Sequence, residues 1–300
     1  MSQEWQSATK THIPVMPKEV LSHLNIQKDG VYVDGTIGLG GHSQLILSQL
    51  SAKGRLVGVD RDAEALEICK KRLSPYRSSL SLFNKSYNKI NSILDSLEIQ
   101  KVHGILLDLG LSSFQLDSKD RGFSYKTNCE LDMRFDRSQK KSAFNIVNNM
   151  PERMLADLIY HNSEEKRSRA IARKIISMRP INKVFDLVEA IKKSTPPFKR
   201  DKTISRVFQA VRISVNNELE KLDHFLSTFY PRLLNGGRIV IISFHSLEDR
   251  KVKHAFKLLK RENKVQILTK KPLIPTEMEI VENSRSRSAK LRAAERKNDG

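Results

Sequence analysis

Apolar and polar positions along the first 110 residues alternate between two kinds of segment. Short apolar runs have the composition of buried strands, and the segments between them repeat apolar positions at helical spacing. This alternation favours an α/β fold with a parallel sheet. The predicted strands are 31–35, 55–60, 80–83 and 104–110, and the predicted helices are 15–24, 42–50, 63–73 and 90–97.

The pattern changes after residue 110, since residues 111–216 contain no strand-like run. Prolines separate the helical segments there, and strand character returns only after a predicted turn at 235–237. We therefore predict a discontinuous α/β domain, 1–112 and 217–300, with an inserted all-helical domain, 113–216. The further predicted elements are helices 154–160, 164–177, 184–193, 204–216 and 248–260, and strands 238–245 and 265–269 with an edge strand at 288–294.

The first predicted strand leads into a glycine-rich segment, 34–43, and the second strand ends at Asp60. Glycines let a ligand approach the backbone, and an acid after the second strand can bind ribose hydroxyls, so a nucleoside cofactor is indicated. A triphosphate loop needs lysine where Gly41 or His42 stands, and Ser43 stands where the dinucleotide fingerprint needs glycine or alanine. The segment resembles the first motif of Rossmann-like S-adenosylmethionine methyltransferases. A nicotinamide-dependent oxidoreductase is the alternative.

Basic residues exceed acidic ones along the chain, with 53 Lys and Arg against 34 Asp and Glu and a formal net charge of +19. The excess is concentrated in 160–212, which has 14 basic and 5 acidic residues. Such an excess predicts a polyanionic partner, either a nucleic acid or an anionic membrane surface, unless it only aids solubility. Arg169 and Arg173, one helical turn apart, and Arg206 are candidate substrate contacts, because as a set they suit phosphate groups.

No apolar run approaches the roughly 20 residues that span a bilayer, and the N-terminal residues lack the features of a signal peptide. Cys69 and Cys129 are too few for a disulfide framework or a zinc site. The sequence therefore predicts a cytoplasmic protein with no membrane partner and no bound metal, and it leaves a homodimer open.

Polar residues with catalytic potential follow the fourth predicted strand, which contains Asp108. Methyl transfer is an in-line displacement, so the enzyme must hold an acceptor lone pair behind the methyl group. Where the acceptor is the exocyclic amine of a nucleobase, its lone pair is delocalised into the ring, and hydrogen-bond acceptors on its N–H groups can rotate the lone pair out of conjugation. Asp108 and Ser112 are the candidates for this catalytic role. Ser112 has the alternative role of capping the following turn. The ring of Phe114 is a candidate for stacking on the nucleobase that carries this amine.

A second candidate group follows the fifth predicted strand. His245 is a candidate substrate contact that could meet Asp249 at the ligand edge of the sheet. Ser246 resembles a helix N-cap followed by acids in the first turn. A Ser-His-Asp hydrolase is disfavoured because the chain has no GxSxG segment.

A series of short segments, in order along the chain, resembles the RsmH (MraW) family of bacterial ribosomal RNA small-subunit methyltransferases. The resemblance extends from about His12 to Arg296. Its segments are 12–15, 34–43, Asp108-Leu109-Gly110-Leu111-Ser112-Ser113, 115–117, Arg121-Gly122-Phe123-Ser124, Leu131-Asp132-Met133-Arg134, 208–210, 243–250 and 286–292.

This resemblance implies transfer of a methyl group from S-adenosylmethionine to the N4 amine of one cytidine in the decoding centre of small-subunit (16S) rRNA. The implied partner is that RNA or the ribosomal subunit, and a non-catalytic RNA chaperone is the disfavoured alternative. Tyr87 stands where the family usually has phenylalanine, and Lys202-Thr203-Ile204-Ser205 departs from the family's His-Pro-Ala-Thr. The implied cofactor contacts are Gly40, Gly41, His42, Asp60, Tyr87, Asp108 and Gln115.

Overall fold

The structure, a computed structural model, describes residues 13–298, and His12 lies outside them. Within the described residues one sheet contains β1 (Val31–Asp34), β2 (Arg55–Asp60), β3 (Leu80–Asn84), β4 (Val102–Asp108), β5 (Leu233–Ser243), β6 (Val265–Ile267) and β7 (Lys290–Arg296). The strand order is β3-β2-β1-β4-β5-β7-β6. β1 to β5 pair in parallel, whereas β7 is antiparallel to β5 and β6. The predicted α/β class with a Rossmann-like sheet is confirmed.

Helices connect these strands and form the segment between β4 and β5. Among residues 13–298, no helix is both long and apolar enough to cross a membrane. The helices are α1 (Pro17–Leu24), α2 (Gly41–Leu47), α3 (Ala63–Arg72), α4 (Ile90–Ser96), α5 (Ser113–Asp117), α6 (Ala143–Asn149), α7 (Glu152–Ser163), α8 (Ser168–Ser177), α9 (Val184–Lys193), α10 (Arg200–Asn216), α11 (Glu218–Thr228), α12 (Ser246–Arg261) and α13 (Glu277–Glu282).

Both faces of the sheet are buried, because successive strand residues point to opposite sides. Tyr32 and Leu106 pack on one face with apolar residues of α1, α2 and α3. Val33 and Leu107 pack on the other face with those of α4, α11 and α12. Each such buried side chain contributes about 1.5–3 kcal/mol relative to an exposed one. This packing fixes the ends of β1, β2 and β4, where the candidate site residues lie.

The predicted turn before the fifth strand is instead a bulge inside β5. Val102 of β4 pairs with Leu233, and Gly104 pairs with Arg238, so four residues of β5 lie opposite one residue of β4. Gly236 has a φ of 74°, a conformation that glycine adopts easily and other residues do not. Strand pairing therefore begins five residues earlier than the predicted 238.

The strand predicted at 288–294 is β7, but the prediction of an edge position is wrong. β7 lies between β5 and β6, so β6 is the edge strand. Leu291 and Ala293 are buried on one face and Ala294 on the other. Because both faces are covered and the side chains are short, the sequence alternation is as weak as that of an exposed edge.

Residues 111–219 form a compact unit of their own, and the α/β unit ends at Gly110 and resumes at Glu220. The sequence prediction for the inserted domain is 113–216. Helices α5 to α10 build this unit around a buried apolar core, and an isolated bridge pairs Glu130 with Lys183. The helix predicted to begin at residue 164 begins at Ser168, because Glu164 has a φ of 54° and ends α7.

Candidate active site

The glycine-rich loop between β1 and α2 is held by main-chain hydrogen bonds to two neighbouring strands. Gly35 N–H donates to a carbonyl of β4 at 2.9 Å, and Ile37 N–H donates to a carbonyl of β2 at 3.0 Å. Gly38 and Gly40 have φ angles of 51° and 81°. The loop thus crosses the carboxyl ends of the strands where the sheet order reverses, the usual ligand position in open α/β sheets.

Asp60 at the end of β2 binds this loop directly. Its Oδ2 accepts the Gly38 N–H at 2.8 Å, and its Oδ1 accepts the Asp62 N–H at 2.9 Å. Burial raises the pKa of Asp60 to about 6. Each carboxylate oxygen has two lone pairs, so both oxygens retain capacity for a ribose hydroxyl.

Asp34 at the end of β1 is a further buried carboxylate, and it is absent from the predicted site residues. Its Oδ2 accepts the Ser43 hydroxyl at 2.7 Å, and its Oδ1 accepts the Thr36 N–H at 3.2 Å. Burial raises its pKa to about 6. These hydrogen bonds connect the end of β1 to the loop and to α2, so Asp34 holds the loop in its conformation. The acid immediately before Gly35 is the sequence signal that could have identified it.

Asp108 at the end of β4 lies beside the same loop. Its N–H donates to Thr36 Oγ1 at 2.6 Å, and its Oδ2 lies 3.7 Å from Nε2 of the buried His42. Its Oδ1 is buried and accepts no hydrogen bond from residues 13–298. Burial first, then the charges of Asp34 and Glu248, raises the pKa of Asp108 to about 7.

Tyr87 forms one side of this region. Its half-buried ring packs edge-on against Phe225, with 5.9 Å between the ring centroids. A Cβ added to Gly35 would lie 3.1 Å from Cβ of Tyr87 and 2.4 Å from a methyl group of Leu107. The absence of a side chain at Gly35 therefore lets Leu107 and the Cβ of Tyr87 pack closely against the backbone at the end of β1. Phe225, which supports this ring, is missing from the predicted residues because nothing local marks it.

Ser112, Phe114 and Gln115 belong to the helical unit, at the start of α5. Ser112 Oγ accepts the Gln115 N–H at 3.1 Å, and Gln115 Oε1 accepts the Ser112 N–H at 3.1 Å. This is a reciprocal capping box, so the alternative capping role of Ser112 is observed. Phe114 is half-buried. The catalytic role of Ser112 and the stacking role of Phe114 stay predictions.

His245 is the N-cap of α12, which corrects the prediction that Ser246 caps this helix. Its Nδ1 accepts the Glu248 N–H at 3.4 Å, and its Nε2 lies 3.3 Å from Glu248 Oε1. An acceptor Nδ1 requires the proton on Nε2, and this buried nitrogen makes no hydrogen bond with residues 13–298. Asp249 does not meet His245 through its side chain, because it binds Arg292 at 2.7 and 3.2 Å. A substrate contact by His245 stays a prediction.

The three candidate arginines of the helical unit have different surroundings. Arg169 is exposed on α8. Arg173 is 77% exposed and lies 3.6 Å from Glu152. Arg206, in contrast, forms an ion pair with the buried carboxylate of Glu165 at 3.2 Å, so its charge is already paired within the protein. Arg169 and Arg173 are therefore better placed than Arg206 to contact a polyanion.

The α/β unit brings most of the predicted cofactor residues together, and their chemistry fits a nucleoside cofactor. The glycine loop, Asp60, Tyr87 and Asp108 lie at the same end of the sheet, within contacts of one another or of the loop. A buried carboxylate oxygen that lacks a donor, Asp108 Oδ1, is an acceptor available to a bound group. Gln115 is the predicted contact that lies in the other unit.

Comparison with known sequences decides the family, since the sequence model of the MraW methylase family matches residues 9–297. The chain belongs to this family. As an MraW methylase it is a methyltransferase, and its methyl donor is S-adenosylmethionine. This result excludes the oxidoreductase alternative.

Similar curated sequences carry one common name, ribosomal RNA small subunit methyltransferase H. The protein from Thermosipho africanus is 48% identical, over 95% of this chain and 97% of its own length. The Kosmotoga olearia protein is 48% identical over 96% and 98%, and the Clostridium botulinum protein is 46% identical over 94% and 97%. A solved structure from Clostridium thermocellum, named as a "putative rRNA-methylase", is 12% identical, covers 95% of this chain and 99% of its own, and has a TM-score of 0.47.

Proposed function

We propose that this MraW methylase methylates small-subunit ribosomal RNA, and that the acceptor is the exocyclic N4 of a cytidine in the decoding centre. The names of its relatives support the RNA class, and the net charge of +19 suits a polyanionic substrate. The observation that carries the proposal is the carboxylate of Asp108 at the carboxyl end of β4, whose buried Oδ1 is an acceptor that lacks a donor among residues 13–298.

In this proposal, different residues contact different parts of S-adenosylmethionine. The main chain of Gly40 and Gly41 lets the cofactor approach closely, and Asp60 accepts hydrogen bonds from ribose hydroxyls. Tyr87 supplies an aromatic surface for the adenine, supported from its edge by Phe225. In this proposal His42 and Gln115 complete the cofactor contacts.

S-adenosylmethionine supplies an electrophilic methyl group on a positively charged sulfur. The protein's task is to make a weak nucleophile available, because the lone pair of a cytosine amine is delocalised into the ring. An ionised Asp108 accepts an N–H hydrogen bond from the amine, which favours rotation of the lone pair out of conjugation and offsets the positive charge that develops on nitrogen. Ser112 and nearby carbonyls are further candidate acceptors.

The proton balance follows from this arrangement. A bond forms between N4 and the methyl carbon while the carbon–sulfur bond breaks, so N4 carries an extra proton and a positive charge. One of its protons then leaves, and Asp108, with a pKa of about 7, is suited to accept it. The products are N4-methylcytidine and neutral S-adenosylhomocysteine.

The proposal assigns RNA recognition to the helical unit. Arg169 and Arg173 lie one turn apart on α8 and would contact phosphates, which position RNA without reading its sequence. Phe114, at the start of α5, is the candidate for stacking on the target base, and His245 is a further candidate substrate contact.

A methyl-transfer assay tests the proposed function. Small ribosomal subunits from cells that lack this protein are incubated with tritium-methyl S-adenosylmethionine and the wild-type, Asp108→Asn or Asp223→Asn protein. Asp223 is an exposed acid that binds Lys251, so its variant is a matched control. We expect equal labelling by wild type and Asp223→Asn, and a loss on the order of 100-fold in Asp108→Asn. Unlabelled RNA despite measurable cofactor binding by the wild type would contradict the proposed substrate.

A further inference from the structure

An aromatic side chain on the helical unit projects into solvent at the connection between α9 and α10. Phe198 is 81% exposed and belongs to a 3₁₀ helix of one turn, Pro197–Lys199. An isolated exposed apolar residue needs no explanation by itself. The groups around this ring, however, indicate a particular kind of partner.

Three cationic side chains surround the turn that carries the ring. The ammonium group of Lys199 lies 5.3 Å from the ring centroid, over its face. Arg200 Nε donates to the carbonyl of Thr195 at 3.3 Å. Arg167 donates to the carbonyl of Ser194 from Nε and Nη2, at 3.1 and 2.8 Å. These hydrogen bonds hold both guanidinium groups against residues 194 and 195, three to four residues before the exposed ring in the chain.

The local sequence adds to this charge and stiffens the loop. Residues 192–202 contain five Lys or Arg and one acid, Asp201. Pro196 and Pro197 restrict the backbone just before the ring, and α10 starts at Arg200. A ring on a restrained turn loses little conformational freedom when a ligand binds. The loop therefore presents a flat apolar surface inside a cluster of positive charge.

We propose that Phe198, with Lys199, Arg200 and Arg167, is a stacking platform for an unpaired base of the RNA substrate. Proteins recognise single-stranded RNA by stacking bases on aromatic side chains while cations contact the flanking phosphates. An acidic peptide would need the cations alone, whereas a nucleotide uses both the ring and the charges. This inference rests on the proposed RNA substrate and adds a docking surface to it.

Variants at the ring and at its cation test the platform. Binding is measured with a single-stranded fragment of small-subunit RNA, with a duplex of the same sequence and with whole subunits, and methyl transfer with the fragment and the subunits. The proteins are wild type, Phe198→Ala, Phe198→Trp and Lys199→Gln. Tyr160→Ala is the control, because this ring is 51% exposed in the same unit and has no Lys or Arg within four residues.

The platform predicts a change in RNA affinity without a change in chemistry. Phe198→Ala should raise the Kd and KM for RNA by roughly 10-fold to 100-fold and leave kcat and cofactor affinity unchanged. Phe198→Trp and Tyr160→Ala should both bind RNA with the wild-type affinity. Lys199→Gln should reduce the salt dependence of binding by about one phosphate contact.

Failure of the platform and failure of the proposed function are distinguishable. Wild-type methylation of RNA with unchanged affinity in Phe198→Ala would overturn the platform alone. No RNA binding by the wild type would overturn both. A loss in Phe198→Ala confined to whole subunits, with naked RNA bound normally, would replace the RNA base with a ribosomal protein as the partner. An equal loss on duplex RNA would exclude stacking on an unpaired base.

Discussion

Nε2 of His42 lies 3.7 Å from Oδ2 of Asp108, which joins the first turn of α2 to the end of β4. The His42 side chain is 7% exposed and that of Asp108 is 23% exposed, so water screens this contact only in part. The pKa of Asp108 is nevertheless raised, because burial and the negative charges of Asp34 and Glu248 outweigh any attraction from the imidazole. The carboxylate central to the proposed chemistry therefore titrates close to neutral pH.

Methyl transfer should depend on pH through Asp108. The ionised carboxylate is the stronger acceptor for the amine N–H and the only form of Asp108 that can take up its proton. Because its pKa is about 7, kcat/KM should rise as pH increases through neutrality and level off above it. In Asp108→Asn, the small residual activity should lack this step. The measurement is kcat/KM over a pH series at constant ionic strength, and a flat wild-type profile around pH 7 would contradict the role of Asp108.

Stability should change with pH in the opposite direction. The folded pKa values of Asp34 and Asp60, about 6, and of Asp108, about 7, exceed the ordinary value of 3.8. Between these values the folded protein binds more protons than the unfolded chain. The free energy of unfolding should therefore fall as pH rises from about 4 to about 7.

Urea unfolding of the cofactor-free protein at mildly acidic and mildly alkaline pH measures this slope. Asp108→Asn should flatten it and should be the more stable protein at alkaline pH. The exposed control Asp223→Asn should keep the wild-type slope. If Asp108→Asn is less stable than wild type at alkaline pH, the burial of an uncompensated charge is the wrong account.

Two glycines with similar backbone angles should respond differently to alanine. Gly40 has a φ of 81° and Gly236 a φ of 74°, so either substitution costs about 1–2 kcal/mol in backbone strain. A Cβ at Gly40 would also lie 2.9 Å from Leu73 and 3.0 Å from Cys69, whereas a Cβ at Gly236 meets nothing within 4 Å. We expect Gly40→Ala to destabilise by about 2–5 kcal/mol and Gly236→Ala by about 1–2 kcal/mol. Equal thermal shifts would show that the contacts at Gly40 relax freely.

Two arginines of the helical unit should separate stability from RNA binding. Arg206→Ala leaves the buried Glu165 without its cation and should cost about 1–2 kcal/mol, a figure reduced for the partial exposure of Arg206. Arg169→Ala should stay within about 0.5 kcal/mol of wild type but weaken RNA binding and its salt dependence. Unfolding curves and RNA titrations of both variants measure the two effects. Normal RNA affinity in Arg169→Ala would remove this residue from the binding surface.

Local sequence patterns predicted the strands and helices that carry the candidate site residues. The order of the strands at the sheet edge and the side-chain partners depend on contacts between distant residues, which local patterns do not encode. β2 has its predicted bounds, Arg55–Asp60, because an apolar run ends at a charged residue. The interior position of β7 depends on β6, which follows a different helix, so no local pattern encodes it. Likewise, Asp249 turned out to bind Arg292, whose chain position is 43 residues away. The exposure of Phe198 also depends on packing, since its sequence context only predicts a loop.

The identity of the methylated nucleoside shows whether cytidine N4 accepts the methyl group. RNA labelled by the wild-type protein from tritium-methyl S-adenosylmethionine is digested to nucleosides, which are separated beside authentic standards. We expect label in N4-methylcytidine at a single position of small-subunit rRNA, and loss of this label with Asp108→Asn. Label in a different nucleoside would contradict the assigned acceptor and the amine chemistry assigned to Asp108.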